Sequence, residues 1–160
     1  MKIILKRIAI LLLGVFVVMQ FFGPEKNISE IARVDNKNDF IVMENPSKNI
    51  EDLLIVACYD CHSNSTRYPW YNTITPVNYW MADHVRHGKG ELNFSEWGNY
   101  SPANKDHKID ESIEMLEDGE MPLNSYIWTH ADAKLSEEQV KTLTHWFSLL
   151  RLKILKDMPQ

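Results

Sequence analysis

The chain has 160 residues, a formal charge of −5 and 44% hydrophobic residues, which is room for one ordinary domain plus an appendage. A charged fraction of 24% and an aromatic fraction of 11% exclude an intrinsically disordered chain. Lysines and arginines are scattered apart from a cluster at the extreme N-terminus, so no basic stripe can displace phosphate counterions and nucleic acid is excluded as a partner.

Lys2, Lys6 and Arg7 precede an apolar run from Ile8 to Phe22 whose one strongly polar residue is Gln20. At about 1.5 Å per residue this run covers most of a hydrocarbon core of roughly 30 Å. It ends in Met19-Gln20-Phe21-Phe22, which lacks the small-x-small site of a cleaved signal peptide. Residues 1–23 are therefore predicted to be one N-terminal transmembrane helix, an uncleaved single-pass anchor (or uncleaved signal) in the cytoplasmic (inner) membrane. Residues 8–22 would contact the lipid bilayer, and the positive-inside rule puts everything after Pro24 on the periplasmic side. Residues 24–46 are polar and mixed and read as a tether, with a reach of roughly 25–30 Å if flexible. Phe40-Ile41-Val42-Met43 is its one apolar patch, expected on the domain surface. Asn45-Pro46 marks a boundary, and residues 47–157 form the folded domain.

A helix capped by Ser47 or Asn49 opens that domain. Ile50, Leu53, Leu54, Ala57, Cys58 and Cys61 follow the i, i+3, i+4, i+7 spacing of one buried face. The chain has two cysteines, both in Cys58-Tyr59-Asp60-Cys61-His62, so a four-cysteine zinc or iron–sulfur site within one chain is excluded. A redox Cys-x-x-Cys needs its first thiolate at a helix N-terminus, whereas here the helix comes first and its dipole disfavours a thiolate. A zinc site would need histidines drawn from far away. Haem attachment fits: two thiols one helical turn apart can form thioethers to a porphyrin, and His62 follows directly as an imidazole ligand to the iron.

Downstream, Arg67, Trp70 and Tyr71 are candidate partners for a haem propionate, the first by charge and the aromatics as buried rings that can donate a hydrogen bond. Thr75-Pro76 opens a helix with Val77, Trp80, Met81, His84 and Val85 inward. Asn93–Trp97 starts a short helix, with Phe94 and Trp97 assigned to the core. Asp110 is expected to cap a helix that ends at Gly119. The loop Glu120-Met121-Pro122 then presents a thioether, a soft neutral ligand suited to low-spin iron in an apolar pocket. Met121 is the leading candidate for the second axial position. His84 and His87 are the alternatives, and an open position is the third. Leu135-Ser136-Glu137-Glu138-Gln139-Val140 carries a capping box and a Leu135/Val140 staple. The stripe Val140, Leu143, Phe147, Leu150 and Ile154 is expected to pack across the first domain helix.

CYDCHSN at 58–64, YPWYN at 68–72, TPVNYWMADHVRHGKGELNFSEW at 75–97, GEMP at 119–122 and SYIWTHADAKLS at 125–136 together resemble the bacterial haem-binding domain family of small c-type cytochromes, over about Ile50 to Phe147. More broadly they resemble class I cytochromes c. The resemblance implies an all-α, cytochrome c-like helical domain around one covalent haem c, held through Cys58 and Cys61, with His62 as proximal and Met121 as distal ligand of the iron. The expected function is that of a membrane-anchored periplasmic electron carrier, not an enzyme, exchanging single electrons with redox partner proteins. A haem-based sensor or weak peroxidase with a displaceable sixth ligand is the rival.

Overall fold

The computed structural model describes residues 1–157, and every regular element among them is helical. The α-helices are α1 (Lys2–Met19), α2 (Phe40–Glu44), α3 (Lys48–Ala57), α4 (Tyr59–His62), α5 (Val77–Glu91), α6 (Pro102–Glu117), α7 (Asn124–Ile127) and α8 (Glu137–Lys156). Short 3-10 turns at Arg33–Asp35, Trp70–Thr73, Phe94–Asn99 and Ala131–Ala133 link them. The all-α expectation holds.

The predicted membrane span does not. Among the described residues no helix is long and apolar enough to cross a membrane. The expected span over 8–22 is cut short because α1 stops at Met19 and carries Lys2, Lys6 and Arg7 in its first turns. Its uninterrupted apolar part, Ile8–Met19, is about 18 Å long at helical rise, against roughly 30 Å of hydrocarbon.

Residues 24–46 also depart from the tether reading, because they are fastened to the domain. The Asn27 side chain donates to the Ser63 carbonyl (2.8 Å) and accepts from Lys89 Nζ (2.6 Å), and its backbone N–H donates to the Tyr68 hydroxyl (2.7 Å). Phe40 is fully buried, not on the surface. Asp39 caps α2 by accepting from the Ile41 N–H (3.0 Å), which turns Phe40 into a nest of Phe94, Trp97, Trp146 and Phe147 at centroid distances of 4.8–6.3 Å. Such edge and tilted contacts add to the apolar area that the ring removes from water. Glu44 closes the segment, accepting from Trp97 Nε1 (2.9 Å) and Lys153 Nζ (2.9 Å).

The main layer is α6 against α8, with α3 across α8 at one end. The stripe of α8 therefore packs chiefly on α6 instead of α3, and α3 lends Ile50, Leu53 and Leu54 to the same core. The α8 capping box is formed, with Gln139 N–H donating to Ser136 Oγ (3.2 Å) and Ser136 N–H to Gln139 Oε1 (2.8 Å). The helix expected from Asp110 starts earlier. Ser101 caps it by accepting from the Asn104 N–H, and Pro102 takes the first turn, where its missing N–H costs nothing.

Candidate functional site

Cys58 is where α3 ends and α4 begins. Its φ of −124° breaks the helix, and its carbonyl accepts from the N–H groups of both Cys61 (3.2 Å) and His62 (3.0 Å). This tight turn is held from behind by Asp60, which is 5% exposed. Asp60 accepts from Arg67 Nε (3.0 Å) and backbone N–H (3.0 Å) through Oδ1, and from the Tyr126 hydroxyl (2.6 Å) through Oδ2. Burial, together with that bond to Asp60, pushes the Tyr126 hydroxyl well above its ordinary pKa. On the other side α5 comes very close: a Cβ added at Gly88 would lie 2.9 Å from the Cys61 carbonyl oxygen. Only a glycine lets that helix and the turn meet at this separation.

His62 is fixed by its own hydrogen bond. Its Nδ1 lies 3.0 Å from the Leu92 carbonyl. A carbonyl only accepts, so Nδ1 carries the proton and Nε2 keeps a bare lone pair. Burial holds the imidazole pKa below its usual value, against the opposing pull of the Leu92 and Gly88 carbonyls. Burial thus favours the neutral ring, which is the state a metal requires. Phe94 stands edge-on to it at 6.2 Å and stacks on Tyr59 at 5.1 Å.

Cys58 and His62 line a cavity of ≈ 290 Å³, close to the lower end of small-molecule pockets, about 300 Å³. Its walls include Leu92, Phe94, Met115, Leu116, Met121 and Phe147, and the polar groups Glu91, Lys108, Glu111 and Ser112 also line it. Met121 is delivered there by the end of α6. Gly119 adopts φ +70°, the Gly119 N–H bonds to the Leu116 carbonyl, and the Glu120 and Met121 N–H groups both reach the Met115 carbonyl (3.0 and 3.1 Å). This is the Schellman ending, which needs a residue able to adopt the left-handed conformation at that position. Four residues of this wall (Cys58, His62, Met115 and Met121) offer sulfur or imidazole nitrogen in apolar surroundings. That donor set fits a haem: thiol for attachment, imidazole and thioether for iron.

Cys61 faces α5 at Gly88 and does not line the cavity. Burial, with the second thiol of the pair beside Cys58 and Asp60 beside Cys61, pushes the Cys58 thiol up to about 12 and the Cys61 thiol up to about 11. Neither is a thiolate at neutral pH, which counts against a thiol–disulfide switch. Among the described residues no three His, Cys, Asp or Glu side chains cluster to hold a metal ion, so the zinc reading has no ligand set.

The other candidates lie elsewhere. Arg67 is paired with Asp60 and lines a separate hollow, not the His62 cavity. Trp70 is 76% exposed. Tyr71 donates to Thr129 Oγ1 (2.8 Å) and lines a shallow hollow with Trp80, His84 and His130. Neither ring borders the His62 cavity, because the 3-10 turn at Trp70–Thr73 packs on α5. His84 Nδ1 bonds back to the Trp80 carbonyl (2.8 Å), and His87 Nδ1 to the Asp83 carbonyl (2.9 Å). Both stay on α5, away from the cavity. Sequence reasoning missed the Leu92 carbonyl, since a backbone acceptor leaves no trace in side-chain pattern. It also missed Lys108, whose spacing from Ser112 and Met115 places all three on one face of α6.

No curated protein and no solved structure matches the chain. A family model described as a haem-binding domain matches residues 14–149, a range that takes in the fastened segment 24–46 as well as the site. The chain belongs to the haem-binding domain family.

Proposed function

We propose that this protein is a monohaem c-type cytochrome that carries single electrons. Cys58 and Cys61 would hold one haem per chain covalently, and His62 and Met121 would bind its iron. The observation that carries the reading is the His62 Nδ1–H bond to the Leu92 carbonyl (3.0 Å). It leaves Nε2 free in an apolar cavity shared with Cys58 and Met121. The haem would supply reversible one-electron chemistry at its iron. The chain holds the imidazole in one tautomer, presents a thioether from a Schellman turn, and walls the site with Leu92, Phe94, Leu116 and Phe147. With His62 and Met121 both taken up by the iron, no position would be left for substrate, so electron carriage to redox partner proteins is favoured over catalysis. The basic start and exposed apolar surface of α1 support attachment to the surface of the cytoplasmic membrane.

Protein purified from cells able to mature c-type cytochromes is expected to weigh one haem more than the polypeptide and to keep the haem on a denaturing gel. A bare-polypeptide mass refutes covalent attachment. Met121→Ala is expected to retain the haem while the ferric spectrum loses its near-infrared methionine–iron band and becomes high-spin. An unchanged spectrum refutes Met121 as ligand. A second reading, a ligand-binding sensor with a displaceable sixth ligand, draws on the loop position of Met121, whose N–H is tied to the fold only at the Met115 carbonyl. Ready binding of CO or cyanide by the unaltered protein selects it.

A further inference from the structure

Helix α1 buries none of its residues, yet its C-terminal end is bolted to the domain. The Gln20 side-chain amide forms a reciprocal pair with the Thr75 backbone: Nε2 donates to the Thr75 carbonyl (3.1 Å) and Oε1 accepts from the Thr75 N–H (2.9 Å). Thr75 Oγ1 donates in turn to the Phe22 carbonyl (3.1 Å) and accepts from Asn78 Nδ2 (3.0 Å). Thr75 is 1% exposed and Gln20 half-buried, so the pair is partly shielded from water, which strengthens its hydrogen bonds. Two antiparallel amide bonds fix an angle as well as a distance. Gln20 is the polar residue that interrupts the apolar run, and this clamp is its use.

Exposed aromatics gather on the segments around the clamp. Phe21 and Phe22 follow Gln20, Trp70 precedes Thr75, and Tyr79 and Trp80 follow it, all of them well exposed. In water such rings are unfavourable. At the headgroup level of a bilayer Trp and Tyr are favoured, one end apolar and the other wet. Lys2, Lys6 and Arg7 at the opposite end of α1 complement anionic headgroups.

We propose that Gln20 and Thr75 form an orienting clamp that seats the haem domain directly on an anionic lipid surface, with Trp70, Tyr79 and Trp80 at headgroup level. This rests on the reading of α1 as lipid-attached, and it replaces a loosely tethered shuttle with a domain held in one pose. A docked redox protein then always meets the same face.

The test uses full-length holoprotein with a spin label placed by Thr73→Cys, an exposed position between Trp70 and Thr75, and separately by Glu137→Cys as an exposed control, bound to vesicles of mixed phosphatidylcholine and phosphatidylglycerol. The oxygen-to-nickel-chelate accessibility ratio at position 73 is expected to exceed that at position 137 several-fold. Adding Gln20→Ala, which touches no haem-site residue, is expected to bring the two ratios together while flotation with vesicles and the haem spectrum persist. Equal ratios in the vesicle-bound protein, or a ratio at position 73 insensitive to Gln20→Ala, overturn the clamp. Failure of the unaltered protein to float with vesicles overturns the lipid attachment itself, a separate outcome.

Discussion

Gly88 and Gly90 lie two residues apart on α5, and the same substitution should act on them in opposite directions. In a helix, alanine is favoured over glycine by about 0.8–1.0 kcal/mol. At Gly90 an added Cβ meets nothing within 4 Å, so Gly90→Ala should stabilise by about 0.5–1 kcal/mol, allowing for its place near the helix end. At Gly88 the Cβ would lie 2.9 Å from the Cys61 carbonyl oxygen and 3.2 Å from Cys61 Cβ. The first of these is backbone in the turn that carries His62, so no side-chain rotation relieves it. Overpacking of this kind costs about 1–3 kcal/mol, and subtracting the propensity gain leaves Gly88→Ala destabilised by about 0–2 kcal/mol. The steric term alone separates the two variants by about 1–3 kcal/mol. At about 2–4 °C per kcal/mol for a chain of this size, thermal melts of the holoprotein followed by far-ultraviolet circular dichroism should differ by roughly 2–12 °C, with Gly90→Ala higher. Should Gly88→Ala melt at or above Gly90→Ala, the close approach of α5 to the Cys58–His62 turn is refuted.

Gly119→Val places a β-branched residue at φ +70° and should cost about 1–2 kcal/mol. It should also disturb the turn that carries Met121, seen as a partial shift toward high-spin ferric haem; an unshifted melt and spectrum would contradict the Schellman assignment. Tyr126→Phe removes the 2.6 Å bond to the buried Asp60 carboxylate while keeping the ring stacked on His130. Loss of about 1.5–3 kcal/mol in urea unfolding is expected, and a neutral result would show that Arg67 alone satisfies Asp60. Burial raises the Asp39 carboxyl above its ordinary pKa, opposed by the Tyr59 hydroxyl, the Ile41 N–H and Arg33, and its Oδ2 has no partner. The folded state therefore binds this proton more tightly than the unfolded chain. Its contribution is complete below the unfolded carboxylate pKa and is lost as pH rises through the folded one. Asp39→Asn, which keeps the α2 cap, should flatten that acid-side decline in stability; a pH–stability curve of unchanged slope would refute the link.

Local pattern by itself determined much of this protein. The apolar spacing of α3 and α8, the Ser136/Gln139 capping box, the core positions Phe94 and Trp97, and the Cys58-x-x-Cys61-His62 turn at the end of a helix were all legible, because each depends on residues within a few positions of one another. The tertiary structure alone decided which distant segments meet. Asn27 lies on the loop after His62, Phe40 is inserted between Trp97 and Phe147, and Arg67 is drawn to Asp60 instead of to the cavity. Leu92 lends a carbonyl that sets the tautomer of His62. Hydrogen bonds and ring contacts of this kind join residues tens of positions apart. Their partners are set by how the helices pack in three dimensions, which no spacing along the chain records.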